Sequence, residues 1–352
     1  MHDKPLLSRR QSLAQITKLG LCAGTLNYSE LVMANSFTKS NHDMLVPPSL
    51  NPGDVIGICA PAGFVSLDEI QAAISTLKKW GFNVKVGRTI GKAFGTFGGT
   101  DEDRASDFQA MLDDPEIKAI LCARGGYGLV RIIDQLCFKR CAQNPKWLLG
   151  FSDVTVLHSH LNHPVGMVSV HSTMASGFVD QPELANSPAA LSIASIHDAL
   201  VGRAIHYPIQ PSIHHRDGIA IGPVVGGNLR TLETLSGSIS ELNCDNKILL
   251  VEDVGEPLYS VDRMFWHLKR SGQLAKLAGL IIGGFDIPPD ENNELPFALD
   301  LYQIVMEKVR EYRYPVCFEF PVGHQSMNLA VKMGMLHRLH VANGIAQFDE
   351  MR

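Results

Sequence analysis

Ser152, Glu252 and His324 are the residues whose types and order could do covalent chemistry. Each follows an apolar run at what reads as the C-terminal end of a strand: Trp147 to Phe151, Lys247 to Val251, and Pro315 to Phe320 leading into Pro321-Val322-Gly323. A serine hydroxyl becomes a good nucleophile when a neighbouring base takes its proton. A histidine can do so near neutral pH, and a carboxylate can fix its tautomer and stabilise the imidazolium. Convergent serine hydrolases use the chain order Ser, Glu, His. Ser152 also stands where the pattern changes from strand to helix, since Val156, Leu157 and Leu161 fall at helical spacing. That is the geometry of a nucleophile elbow, whose usual signature is Gly-x-Ser-x-Gly. Here Val154 replaces the second glycine, so the motif alone carries little. The plainer alternative is that Ser152 or Asp153 caps the helix.

Two glycine-containing turns lie at comparable strand ends, Ala60-Pro61-Ala62-Gly63 and Ala123-Arg124-Gly125-Gly126-Tyr127-Gly128. Neither is a phosphate-binding loop or a dinucleotide fingerprint. The second could bring bare backbone N–H groups to the Ser152 turn, as an oxyanion hole requires, or it could be a tight turn needing positive φ. Arg230 has two readings, an anchor for a substrate carboxylate or an ion-pair partner in the core. Asp253 and Glu256 read as capping or pairing residues near Arg263. His158, His160 and His163 do not share one helical face, so a capping or solvated role is expected rather than a metal site. His214-His215 lacks partner ligands at metal spacing, and the adjacent pair His171-Ser172 is a poor base–nucleophile dyad.

The elements that must position these groups alternate. Strands are expected at 54–60, 83–86, 117–122 and 147–151, with helices at 67–80 and 101–112. This pattern predicts a parallel sheet covered by helices on both faces, with ligands beyond the strand C-termini. A second domain begins near Ile219, with a strand plus turn over 222–229 followed by a helix, strands at 247–251, 277–285 and 315–320, a helix at 259–271, and β structure through 330–335 and 339–348. The organisation expected is an N-terminal extension over 1–45, an α/β domain over 46–202, a linker over 203–217 and a second domain over 218–348.

The chain has 352 residues, 45% of them hydrophobic, which is enough for roughly two domains. A formal net charge of −5 supplies no electrostatic argument for nucleic acid. No run reaches the roughly 18 apolar residues of a membrane span. Ser8-Arg9-Arg10-Gln11-Ser12-Leu13 is similar to a twin-arginine export signal, followed by a short apolar stretch from Leu19 to Leu26 and small residues near Ala34. Periplasmic export is therefore expected, with a cytosolic extension as the alternative. The seven cysteines include no CxxC pair, and Cys59 and Cys122 read as small buried hydrophobes. No cofactor or metal is called for.

Five motifs together resemble those of the LD-carboxypeptidases, the serine peptidase family that includes the microcin-immunity peptidases. They are Arg124-Gly125-Gly126-Tyr127-Gly128, Gly150-Phe151-Ser152-Asp153, Gly227-Asn228-Leu229, Leu250-Val251-Glu252-Asp253-Val254-Gly255-Glu256 and Gly323-His324. The resemblance covers about residues 46–345. It implies a flavodoxin-like N-terminal domain, a C-terminal swivelling β/α domain and an active site at their interface. It further implies that Ser152 is the nucleophile, Glu252 the orienter and His324 the base. The oxyanion hole would come from the N–H of Asp153 and one in the Gly125–Gly126 turn, for which Gly126 is chosen. A homodimer is usual in that family, while the residues themselves leave the oligomeric state open. The function implied first is release of terminal D-alanine from a murein tetrapeptide through hydrolysis of an L,D peptide bond. The alternative is hydrolysis of a peptidyl-nucleotide or another acyl conjugate. A third possibility, an exported binding protein without catalysis, has no need of Ser152, Glu252 and His324 together. The departure from the family is the N-terminus, because these enzymes usually look cytoplasmic.

Overall fold

The structure, a computed structural model, describes residues 44–179, 186–289 and 295–351. The twin-arginine stretch and Cys22 lie outside the described residues. The described residues form one compact unit built on two sheets.

In the first half, strands β1 (Val55–Cys59), β2 (Asn83–Val86), β3 (Ile117–Cys122), β4 (Trp147–Gly150) and β5 (Ser169–His171) alternate with helices. The helices are α1 (Gln71–Lys79), α2 (Asp101–Asp113), α3 (Leu129–Ile132), α4 (Lys139–Gln143), α5 (Thr155–His160) and α6 (Pro188–Leu200). The parallel strands lie in the order β2-β1-β3-β4-β5, that of a flavodoxin-like sheet, whose order reverses between β1 and β3. Near-continuous apolar strands are what a sheet covered on both faces needs. Ala119 and Leu121 of β3 pack into one core, with Trp147 and Leu149 of β4. Ile120 and Cys122 face the other, with Leu148, Phe108 and Met111. Helix α2 starts at a reciprocal cap, in which the Thr100 side chain and the Asp103 carboxylate each accept the other's backbone N–H.

The second half contains β6 (His206–Ile209), β7 (Gly218–Asn228), α7 (Leu229–Thr234), β8 (Ile248–Val254), α8 (Leu258–Arg270), β9 (Gly279–Asp286), α9 (Leu301–Val309), β10 (Val316–Cys317), β11 (Val331–Met333), β12 (Leu336–Ala342) and β13 (Ile345–Glu350). Its sheet runs β10-β9-β8-β7-β12-β13-β6, parallel from β10 to β7 and antiparallel beyond. The run expected to be the strand 315–320 is shorter, because Glu319 takes φ 52 and turns the chain.

Two boundaries differ from those read in the sequence. Residues 206–209, expected within a linker, are the edge strand β6, which pairs with β13. Strand β11, expected in the second domain, pairs antiparallel with β5 and so closes the edge of the first sheet. Both are non-local pairings, which local composition does not encode. The chain thus crosses back to the first sheet at β11 and returns to the second at β12.

Candidate active site

Ser152 sits at the end of β4 with φ 64, a left-handed conformation that is strained for a residue with a Cβ. A short 3-10 turn, Ser152–Val154, leads into α5. This is the sharp strand-to-helix turn expected of an elbow. The turn after β3 lies directly against it. A Cβ added to Gly125 would stand 3.0 Å from Ser152 Cβ and 3.1 Å from its Oγ. Glycine is therefore what allows the approach. The next residue, Gly126, takes φ 93 and, with Ser152 and Asp153, lines a cavity of about 520 Å³. That volume is within the range of small-ligand sites.

The carboxylate comes from β8. Its register against β9 shifts between Val251 and Asp253, so Glu252 stands at an irregularity in the ladder, a common device for re-aiming a side chain. Glu252 is fully buried. Its Oε2 accepts the His324 Nδ1–H at 2.6 Å and the His324 backbone N–H at 3.2 Å. Gly323 makes the contact possible, since a Cβ there would fall 2.6 Å from Glu252 Oε2 and its φ is 92. The imidazole is 21% exposed, and it borders a second cavity of about 330 Å³, with Gly284 and Gln325, rather than the one that Ser152 lines. Burial pulls the His324 pKa down, but the hydrogen bond and charge of Glu252 outweigh it and the net shift is upward. The ring also packs on Phe151, the residue before Ser152, at a centroid distance of 4.8 Å. Among the described residues no hydrogen bond joins Ser152 Oγ to His324. Such contacts are often long before substrate binds.

Contacts between the halves set this arrangement. Thr155 Oγ1, in the first turn after the elbow, accepts the Asn228 N–H at 2.9 Å. The Asn228 side chain caps α7 through Thr231 N–H and donates to Asp253 Oδ1 at 3.0 Å. Asp253 in turn accepts the Arg230 N–H at 2.8 Å. Asp153 and Asp253 each follow a candidate catalytic residue, and burial pushes each carboxyl up to about 6 despite the backbone N–H groups that support its charge.

Arg230 lies at the cavity wall rather than in the core, half-exposed and paired with Glu233 and Glu256. Glu256 thus pairs with Arg230, and it also accepts from Ser260 rather than from Arg263. Of the three histidines expected to be capping or solvated, His158 is a core residue. Its Nε2–H donates to Gly150 O at 2.9 Å and its Nδ1 accepts from Ser169 Oγ at 2.8 Å. Burial lowers its pKa to about 4, so it is a neutral brace for the end of β4. His171 is also buried, edge-on to Phe151. Sequence reasoning missed Arg104 and Thr155, and read His158 as capping or solvated. Arg104 shares a helix face with Phe108 and Met111, and that spacing was a readable sign that it points inward. Among the described residues no group of His, Cys, Asp and Glu is arranged to hold a metal ion. Nor is any helix among them long and apolar enough to cross a membrane.

The chain matches the family model of the LD-carboxypeptidase N-terminal domain over residues 56–172 and that of the C-terminal domain over 221–339. It is 31% identical over 305 residues to a protein named probable murein peptide carboxypeptidase from Bacillus subtilis, covering 86% of this chain and 94% of the relative. It is likewise 31% identical over 285 residues to the murein tetrapeptide carboxypeptidase of Pseudomonas aeruginosa, covering 79% and 91%. Among solved structures it resembles the muramoyltetrapeptide carboxypeptidase from Oxalobacter formigenes, with TM-score 0.73, 27% identity and coverage of 85% of this chain and 99% of that one.

Proposed function

The chain belongs to the LD-carboxypeptidase family and is a serine-type carboxypeptidase, and on that premise we propose that it removes terminal D-alanine from a murein tetrapeptide. The observation that carries the mechanism is the buried Glu252 holding His324 beside the Ser152 turn. In this reading Nε2 of His324 takes the Ser152 Oγ proton as Oγ bonds to the carbonyl carbon of the L,D peptide bond. The carbonyl oxygen becomes an oxyanion held by the N–H groups of Asp153 and Gly126. The C–N bond then breaks, and His324 returns the proton to the leaving D-alanine nitrogen. Water, deprotonated by the same imidazole, attacks the acyl carbon; the C–Oγ bond breaks, the imidazolium returns its proton to Ser152 Oγ, and the tripeptide is released. Arg230, on the cavity wall, is the group we assign to substrate binding.

Mass spectrometry of a murein tetrapeptide incubated with the protein tests the proposal. The expected product has lost one alanine residue. An unchanged tetrapeptide, with turnover instead of a peptidyl-nucleotide or other acyl conjugate, would sink it.

We also propose export to the periplasm through the stretch at Arg9 and Arg10, supported by the motif Ser8 to Leu13. Fractionation should find a shortened chain, cut near residue 34, in the periplasm. The double variant Arg9→Lys, Arg10→Lys should remain uncut and cytosolic. Full-length cytosolic protein from the unaltered chain would defeat this reading.

A further inference from the structure

We propose that Asp153 is a positioning residue, whose carboxylate locks the glycine turn after β3 to the nucleophile's turn and so sets the spacing of the two oxyanion donors. The inference rests on the reading of Ser152 given above. The two donors belong to different loops, one following β4 and the other following β3. An oxyanion hole works because its donors are already in place when charge develops, so a drifting loop would forfeit part of that stabilisation. The glycine turn alone is a poor fixture, since Gly126 and Gly128 both take positive φ, at 93 and 149.

Three neighbours hold it: Asp153, Arg104 and Gly63. Asp153 Oδ2 accepts the Leu129 N–H at 2.8 Å, and the Gly128 N–H also supports this carboxylate. Behind the turn, Arg104 is fully buried and its Nη1 donates to Gly128 O at 2.9 Å and to Pro61 O at 2.6 Å. Gly63 N–H donates to Gly125 O at 2.9 Å, so the first glycine turn braces the second. The Asp153 side chain is therefore the direct tie between the residue whose N–H follows Ser152 and the loop that carries the second donor. A carboxylate that only capped α3 would serve stability without any selective effect on the chemical step.

The test compares Asp153→Asn with the unaltered full chain. Asparagine keeps an acceptor for Leu129 N–H but loses the charge and the second acceptor. We expect kcat to fall by about 10- to 100-fold, below the cost of deleting a donor outright, with KM within about twofold. Labelling of Ser152 by a fluorophosphonate should slow by a similar factor, because the phosphonyl oxygen uses the same donors. Arg104→Lys removes the Nη1 that donates to both Gly128 O and Pro61 O and should give the same split, which covers poor folding of the first variant. A folded Asp153→Asn protein with unchanged kcat and labelling overturns the proposal, as does a raised KM at unchanged kcat. Labelling of the unaltered chain separates the two readings. If that chain is not labelled at Ser152, both fall; if it is, and Asp153→Asn is labelled as fast, the positioning role alone falls.

Discussion

Ser152→Ala is expected to abolish hydrolysis, by several orders of magnitude in kcat, while the protein stays folded. In the proposed mechanism loss of the hydroxyl removes the atom that forms the acyl-enzyme, and only weak catalysis from the remaining donors would be left. The backbone makes a second, independent forecast. Ser152 holds φ 64, a conformation that costs a residue with a Cβ roughly 1–2 kcal/mol and costs glycine little. Ser152→Gly should therefore be equally inactive yet more stable than Ser152→Ala by about 1 kcal/mol. Turnover assays and thermal melts on both variants check this. Residual activity within a few-fold of the parent would remove Ser152 from the mechanism. A glycine variant no more stable than the alanine one would contradict the strain argument.

Glu252→Gln should lower kcat by up to about ten-thousand-fold, the scale reached when a serine protease's orienting carboxylate becomes its amide. The side chain keeps its shape, but the charge opposite His324 Nδ1 disappears and the amide can present a donor there, favouring the wrong tautomer. The same change should move the pH profile. In the proposed mechanism His324 must be neutral to accept the Ser152 proton, so activity should be lost as pH falls through its pKa. With Glu252 in place that pKa is raised above the ordinary 6.5, so the acid limb of kcat/KM should lie above that value. In Glu252→Gln the hydrogen bond to a carboxylate and its charge are both gone, and the residual acid limb should shift to lower pH. If Glu252 only bridged loops, the variant would melt earlier with nearly normal turnover and an unmoved limb. Measuring rate, pH profile and melting on one sample separates the two.

Much of the site was legible from local pattern. The run Trp147 to Phe151 followed by helical spacing marked Ser152 as a strand-end residue, and the runs before Glu252 and His324 did the same. Apolar runs of strand length bounded by glycine announce an element and its end, because the physics involved is local: burial on both faces, then a turn. The family resemblance was likewise present in five short motifs, and the comparisons agree with it.

What local pattern could not decide is which element meets which. Glu252 and His324 are 72 positions apart, and only the fold closes them to 2.6 Å. The seating of Asp153 on Leu129, of Thr155 on Asn228, and of Arg104 beneath both glycine turns depends on the same kind of long-range closure. So does the assignment of β6 to the second sheet and of β11 to the first. A strand's sequence specifies that it needs a partner and cover on its apolar face, and many partners satisfy that need equally. The order of the sheets, and with it the placing of Ser152, Glu252 and His324, is settled when the whole core packs, since close packing of the sheet faces leaves few alternative arrangements.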